Sequence, residues 1–253
     1  MNKIKVSIIT ICRNSEKTIT DTIRSVQAQT YPNIEHIVVD GLSTDKTISI
    51  IESYKNDKMV FISEEDFGLY DALNKGFKLA KGDLLGVLHS DDFLYSDDAI
   101  EKLVQIYSAN PDADAISASV NIYKNENFNQ PYRKYKSTSF KLWQFRLGMQ
   151  PPHPGFYITS SAFKELGYFN SAYKISGDFD WLLRALVKLK LKVVYSELIL
   201  VKMRDGGVSS SGFNSKKKMN RENLKSLKSH GIYSNKLMIY LKYFIKIFQI
   251  RSI

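Results

Sequence analysis

The first hundred residues alternate short β-branched runs with helical patterns, and that alternation limits the fold more than any other feature of the chain. Lys3 to Ile11 (KIKVSIITI) is a strand pattern, and Ser15 then caps a helical repeat through Ile19, Ile23 and Val26. Pro32 and Asn33 interrupt it, and Ile34 to Val39 (IEHIVV) reads as a second strand closing on Asp40. Ser43, Thr44 and Asp45 open a helix with Ile48, Ile51 and Tyr54 on one face. Met59 to Ile62 is a third strand, and Asp66 to Ala80 is helical until Gly82 stops it. Leu84 to Leu88 is a fourth strand that runs into Asp91 and Asp92, followed by a helix from Asp97 to Tyr107 and a strand from Ala115 to Tyr123. Strands spaced by helices in this way predict an α/β fold with a mostly parallel sheet covered on both faces.

Beyond that point the signals are weaker. Residues 124–150 are polar and aromatic and read as a hairpin with a loose connection, and Pro151-Pro152-His153-Pro154-Gly155 forces an extended turn. Asp178 to Leu189 reads as a helix, Lys192 to Val201 as a strand, and Gly206 to Gly212 as a mobile loop. The 253 residues suit one domain with a tail: residues 1–212, in halves 1–110 and 111–212, followed by 213–253. A hydrophobic content of 43% with 25% charged residues excludes wholesale disorder. The single cysteine, Cys12, excludes an internal disulfide and a cysteine metal cluster, and it fits a reducing compartment. The apolar run Val6 to Cys12 meets Arg13 and Asn14 with no small-residue cleavage site, so it is not read as a leader. No run approaches the roughly 20 apolar residues that a membrane-spanning helix needs.

In parallel α/β sheets, ligands bind beyond the carboxyl ends of the strands. Three polar sites fall there: Thr10 to Asn14, Asp40, and His89 to Asp92. Asp40 alone is equally well read as a helix cap. Asp91 and Asp92 side by side repel each other unless a cation or hydrogen-bond donors compensate, and oxygen ligands at such a place suit Mg²⁺ or Mn²⁺ with substrate phosphates.

Val6 to Asn14 (VSIITICRN), Val38 to Thr47 (VVDGLSTDKT), Ser63 to Gly76 (SEEDFGLYDALNKG) and Ala80 to Asp92 (AKGDLLGVLHSDD) together resemble the nucleotide-binding half of the family 2 glycosyltransferases, which have the GT-A fold. Pro151 to Phe169 and Ser176 to Arg184 (SGDFDWLLR) resemble that family's acceptor half, so the likeness covers about residues 3–210. It implies that Thr10, Cys12 and Asn14 touch the nucleotide and that Asp40 contacts the base, commonly uracil. It also implies that Asp66 and Lys75 line the donor pocket, with Ser90 beside the metal motif. Asp91 matches the last acid of the family's Asp-x-Asp motif, the usual metal ligand. His89 replaces the first acid, and Asp92 becomes an alternative ligand or supports Asp91 from behind. Asp178 matches the base that takes the acceptor's proton, where Glu-Asp-x-Asp is common and Gly177 here stands for the Glu. The local alternative is that Asp178 is a helix N-cap ahead of Trp181-Leu182-Leu183, and Asp180 orients the loop or contacts the acceptor. One base and a direct displacement imply inversion at the anomeric carbon.

Three further readings stay open. Arg204, beside Gly206 and Gly207, either reaches the donor diphosphate when the loop closes or is a solvated loop arginine. His153 between prolines reads as a pocket-wall residue rather than a ligand, and His36 and His230 have no partner at ligand spacing. Trp143, Phe156, Tyr157 and Trp181 are candidates for sugar stacking or for the core.

The formal charge of +10 sits almost wholly in the last forty residues. There Lys216, Lys217, Lys218, Arg221, Lys225, Lys228, Lys236, Lys242, Lys246 and Arg251 face the single acid Glu222. Leu237 to Ile250 (LMIYLKYFIKIFQI) reads as a helix with a broad apolar face beside a stripe of Lys242 and Lys246. It suits an anionic membrane interface, to which each upstream lysine adds about 1 kcal/mol. The alternative is packing on the domain or on a second copy in a homo-oligomer. So much aliphatic surface, without a binding motif, argues against nucleic acid. The expectation is a cytoplasmic, membrane-peripheral bacterial sugar transferase using Mn²⁺ or Mg²⁺ and a nucleotide-sugar donor, a UDP-sugar first, with a lipid-linked glycan acceptor. A soluble or protein acceptor is the alternative within that class. A nucleotidyltransferase is disfavoured because Thr10 to Asn14 lacks the glycines that hold a triphosphate. A sugar-nucleotide binder without activity is disfavoured by intact Asp91, Asp92 and Asp178.

Overall fold

The computed structural model describes residues 4–124, 127–206 and 212–251. Most of the glycine loop expected at 206–212 therefore lies outside the described residues. The strands are β1 (Val6–Cys12), β2 (Ile34–Asp40), β3 (Met59–Ser63), β4 (Leu84–Val87), β5 (Phe93–Leu94), β6 (Ala115–Tyr123), β7 (Arg133–Tyr135), β8 (Phe156–Thr159) and β9 (Val193–Arg204). The α-helices are α1 (Ile19–Gln27), α2 (Thr47–Ser53), α3 (Leu69–Leu79), α4 (Ala99–Ser108), α5 (Ser160–Leu166), α6 (Gly177–Leu183), α7 (Phe213–Ser229) and α8 (Lys236–Arg251).

All nine strands join one sheet in the order β3-β2-β1-β4-β8-β6-β9-β5, with β7 paired to β6. The expected parallel sheet is present in β3-β2-β1-β4, where each strand returns through a helix. Past β4 the sheet becomes mixed: β8 enters antiparallel to both β4 and β6, and β6 and β9 are parallel. Of the hairpin expected within residues 124–150, only β7 forms as a strand among the described residues, and it pairs antiparallel with β6. The fold class is α/β, with helices on both faces of one curled sheet.

Side-chain alternation along β1 sorts the core. Ile9 and Ile11 face α3 together with Ile37 and Val39, while Val6 and Ile8 face α4. Cys12 and Val38 pack under α1 and α2 with Ile19, Ile23 and Ile51. Gly86 lets β4 accept the Tyr157 ring, because a Cβ there would lie 2.3 Å from it. On the α3 face, Phe77 stacks on Phe163 at 4.6 Å and Phe169 on Trp181 at 4.9 Å. This aromatic block fixes α6, and it settles most of the stacking candidates. Phe156, Tyr157 and Trp181 belong to the core, and only Trp143 is exposed.

The basic C-terminal segment is helical as expected. Part of it docks: α7 buries Asn220, Asn223, Ser226 and Leu227, and α8 buries Ile239. One expectation is corrected here. Lys242 does not join an outward lysine stripe but is 1% exposed beside Gly148. Its ammonium lies over the Tyr243 ring, 5.4 Å from the centroid. Leu237, Tyr240 and Leu241 are exposed apolar residues of that helix, at 72%, 48% and 43%.

Candidate active site

The turn after β4 is held from the far edge of the sheet. β5 pairs antiparallel with β9, Phe93 opposite Lys202 and Leu94 opposite Val201, and this register sets Arg204 against Asp91 and Asp92. The Arg204 backbone N–H donates to Asp92 Oδ1 (3.1 Å), and its guanidinium donates to the Asp91 carbonyl (2.6 Å) and pairs with Asp21. Phe93 and Phe128 flank the same guanidinium at 5.2 and 5.0 Å. Arg204 is therefore neither a solvated loop residue nor at large: it buttresses the acidic turn. The two acids differ. Asp91 is half-buried, whereas Asp92 is 1% exposed, and its Oδ2 has no hydrogen-bond partner among the described residues. Burial, and then the neighbouring Asp91 charge, hold the Asp92 carboxyl well above the usual carboxylate range. Ser90 shares a hydrogen bond with Ser15 (3.0 Å), tying this turn to the loop after β1.

The end of β2 forms the second wall. Asp40 is fully buried and accepts from the Ser43 N–H (2.9 Å), the Ser43 hydroxyl and the Ser63 hydroxyl (2.7 Å). It is not the cap of α2, because the Thr47 N–H donates to Asp45 Oδ1 instead (2.9 Å). Asn14, at φ 51°, accepts from the Thr44 N–H (2.8 Å) and joins the β1 and β2 loops. Asp66 reaches the same spot: a Cβ on Gly41 would lie 2.1 Å from its Oδ2 and 3.6 Å from Arg13 Cδ. Asp40, Asp66, Asn14 and the exposed Arg13 are thus drawn together. Three of the expected contact residues are engaged within the protein. Thr10 is fully buried and bonds His36 Nε2 (2.9 Å), on the face covered by α1. The Cys12 thiol lies 3.7 Å from Asp40 Oδ1, and burial together with that carboxylate pushes it far up. Lys75 pairs with Glu64 (3.0 Å) and donates to the Glu65 carbonyl, bracing the loop before α3.

Asp178 sits in the first turn of α6, where the cap position belongs to Ser176. It is half-buried, and it accepts from Gln150 Nε2 (2.6 Å), the Tyr70 hydroxyl (3.3 Å) and the Phe179 N–H (2.8 Å). A Cβ on Gly177 would lie 2.7 Å from the Tyr70 ring. The glycine is therefore what allows Tyr70 to reach Asp178. His153 is 7% exposed among Phe169 and Trp181, and its ring centroid lies 6.1 Å from that of His89. Burial lowers its pKa to about 4 against a partial counter-effect from Asp178. It is the wall that joins the acidic turn to Asp178. Asp180 is tied to the C-terminal helical segment: it accepts from Ser226 (2.8 Å) and pairs with His230 (3.1 Å), and it also pairs with Arg184 (3.2 Å).

A sequence model described as glycosyl transferase family 2 matches residues 7–166, more than half of the chain. The chain belongs to glycosyl transferase family 2. An uncharacterized glycosyltransferase of Mycobacterium tuberculosis is 32% identical over 182 residues, covering 71% of this chain and 68% of that protein. A PGL/p-HBAD biosynthesis glycosyltransferase of Mycobacterium bovis is 25% identical over 209 residues, 81% of this chain and 79% of the relative. Among solved structures, S. aureus TarS 1-349 in complex with UDP-GlcNAc superposes with a TM-score of 0.68 at 20% identity, covering 88% of this chain and 66% of TarS 1-349. The mannosyltransferase PcManGT from Pyrobaculum calidifontis, in complex with GDP-Man and Mn²⁺, gives 0.68 at 19%, with 93% and 66% covered. This chain thus spans just under two thirds of those solved chains, and at such identities the likeness is one of fold.

Asp91 and Asp92 follow β4 at the strand-end edge of the sheet. Whether they fit a divalent cation is answered by the acidic turn. Among the described residues no three His, Cys, Asp or Glu converge as a complete metal cage. Two adjacent carboxylates, one with an unpartnered buried oxygen, fit a cation of the Mg²⁺ or Mn²⁺ type that completes its shell with substrate phosphates. Sequence reasoning missed Tyr70, Gln150 and Arg13. Tyr70 and Arg13 lie inside the motifs quoted above, but nothing local marks Gln150.

Proposed function

We propose that this family 2 glycosyltransferase moves a sugar from a nucleoside diphosphate donor, a UDP-sugar in the first instance, to a hydroxyl of a lipid-linked glycan, with inversion. The observation that carries the reading is the pairing of the Asp91 turn with Asp178 across the His89–His153 contact (6.1 Å). Both solved neighbours bind nucleotide sugars, UDP-GlcNAc in one and GDP-Man in the other. Asp40, Asp66, Asn14, Arg13 and Ser90 bind and orient the nucleotide. Asp91 would hold a Mn²⁺ or Mg²⁺ ion with Asp92 and Arg204 behind it, and that ion, when bound, neutralises charge on the leaving diphosphate. Asp178 takes the acceptor proton as the new bond forms, its carboxylate aimed by Tyr70 and Gln150. The division into a donor half (1–110), an acceptor half (111–212) and a basic helical segment (213–253) is part of the same proposal.

Two observations favour an acceptor at a membrane surface. Leu237, Tyr240 and Leu241 form an exposed apolar stripe on a strongly basic segment. A groove of about 900 Å³ is lined by Phe140, Leu142, Trp143, Leu186 and Val187, and its charged lining residues among those described are Lys141, Arg146 and Lys190. No helix among the described residues is long and apolar enough to cross a membrane. A homo-oligomer closing the same surface is the alternative, distinguished by whether anionic vesicles recruit the protein as a monomer.

A thermal-shift screen of UDP, GDP, dTDP and CDP, with and without Mn²⁺, tests the donor site. One nucleotide should raise the midpoint by several degrees, with metal required and the shift lost in Asp91→Ala. No shift with any nucleotide would falsify the proposed donor site.

A further inference from the structure

The one acid of the C-terminal basic segment is placed on the loop that carries the proposed base. Outward, α7 presents Lys218, Arg221, Lys225 and Lys228; inward it buries Asn220, Asn223, Ser226 and Leu227. Glu222 lies between these faces, and its carboxylate gathers three consecutive backbone donors. The Ile175 N–H (2.8 Å) and Ser176 N–H (2.9 Å) donate to Oε2, and the Lys174 N–H is shared between both oxygens (3.1 and 3.2 Å). The Ser176 hydroxyl adds a bond to the Met219 carbonyl (3.2 Å). These donors stand just before α6, where helix N–H groups have no partner of their own and negative charge is favoured.

The Ile175 peptide is consequently held from both sides. Glu222 takes its N–H, while the Tyr70 hydroxyl donates to its carbonyl (2.6 Å) and shares the same proton over a longer 3.3 Å with Asp178. Past Asp178, α7 grips the same helix again, through Ser226 and His230 on Asp180. Asp178 therefore lies between two anchors that belong to α7, a helix outside the stretch matched by the family's sequence model.

We infer that Glu222 is a positioning residue for Asp178, so that α7 fixes the catalytic carboxylate. This inference rests on Asp178 being the base. Glu222 touches no reacting atom. It sets the backbone from which Asp178 projects, and a displacement of about 1 Å at a reacting group costs on the order of 100-fold in rate.

The test uses the full chain, with UDP-N-acetylglucosamine or GDP-mannose as donor, whichever nucleotide the screen selects, and release of nucleoside diphosphate as the readout. Glu222→Ala should lower kcat about 100-fold with the donor KM unchanged. Its metal-dependent nucleotide shift should stay intact, and amide exchange at residues 174–176 should rise at least tenfold without a rise in β1 or α3. Glu222→Gln keeps one acceptor oxygen and should recover part of the rate. Wild-type kcat in Glu222→Ala, or a loss of rate that arrives only with global deprotection and a lost nucleotide shift in both variants, overturns the inference. Asp178→Asn separates the two ideas: if it is inactive while Glu222→Ala is fully active, the positioning role alone fails, and if it turns over like wild type, the base assignment fails and the positioning role with it.

Discussion

His36 offers a test of whether the buried face of β1 and β2 is as dry as the structure requires. Its ring is 2% exposed, Nε2 is bonded to Thr10, and Nδ1 has no partner among the described residues. Burial lowers its pKa from the usual 6.5 to about 4. The folded value lies below the unfolded one, so the unfolded chain takes up the proton first. Stability is then complete above about pH 6.5 and falls as the pH drops toward 4. From those two values the loss is about 2 kcal/mol at pH 5 and about 3 kcal/mol at pH 4. His153, also lowered to about 4, adds a loss of the same sign. Asp92 acts oppositely, because its carboxyl is held above its ordinary value and takes up its proton more readily when folded. Both contribute equally to wild type and to His36→Gln, whose amide still reaches Thr10. The difference between the two proteins therefore isolates His36. Urea unfolding followed by the fluorescence of Trp143 and Trp181 at pH 7.5, 6 and 5 should show wild type losing about 2 kcal/mol more than the variant by pH 5. Equal losses would refute the reasoning.

Tyr70→Phe removes the hydroxyl that bonds both Ile175 and Asp178, and should cost about 1 kcal/mol of stability with a roughly tenfold fall in kcat. An unchanged kcat for nucleoside diphosphate release would remove Tyr70 from the support of the base. Gly177→Glu restores the commoner family residue where the Tyr70 ring now lies 2.7 Å from the new Cβ, so it should destabilise by about 1–3 kcal/mol. The same change in a Tyr70→Leu background should cost markedly less, as a thermal-unfolding double-mutant cycle would reveal; equal costs would mean that the ring is not the obstacle.

The parts of the site that were legible in the sequence are those whose position is fixed by the few residues around them. Asp40 and Asp91 follow apolar strands, and a parallel sheet delivers strand ends to one edge whatever the rest of the chain does. Asp178 opens a helix, which is again a local signal. Tyr70 and Gln150 were not legible as partners of Asp178, because they meet it across 108 and 28 residues, through packing that no periodicity encodes. The same holds for β8, four residues whose antiparallel entry depends on tertiary register, and for Thr10, which alternation turns under α1 once the strand limits are known. A helical wheel places Lys242 beside Lys246 because it sees charge, while the folded chain buries Lys242 whole. The division is physical. The proposed donor-side groups stand on strand termini and are specified locally, whereas the proposed base is specified by contacts among α3, α6 and α7 that are distant in sequence. A relative that kept Asp40, Asp91 and Asp178 but changed Tyr70, Gln150 and Glu222 would therefore keep the donor chemistry and lose the aim of its base.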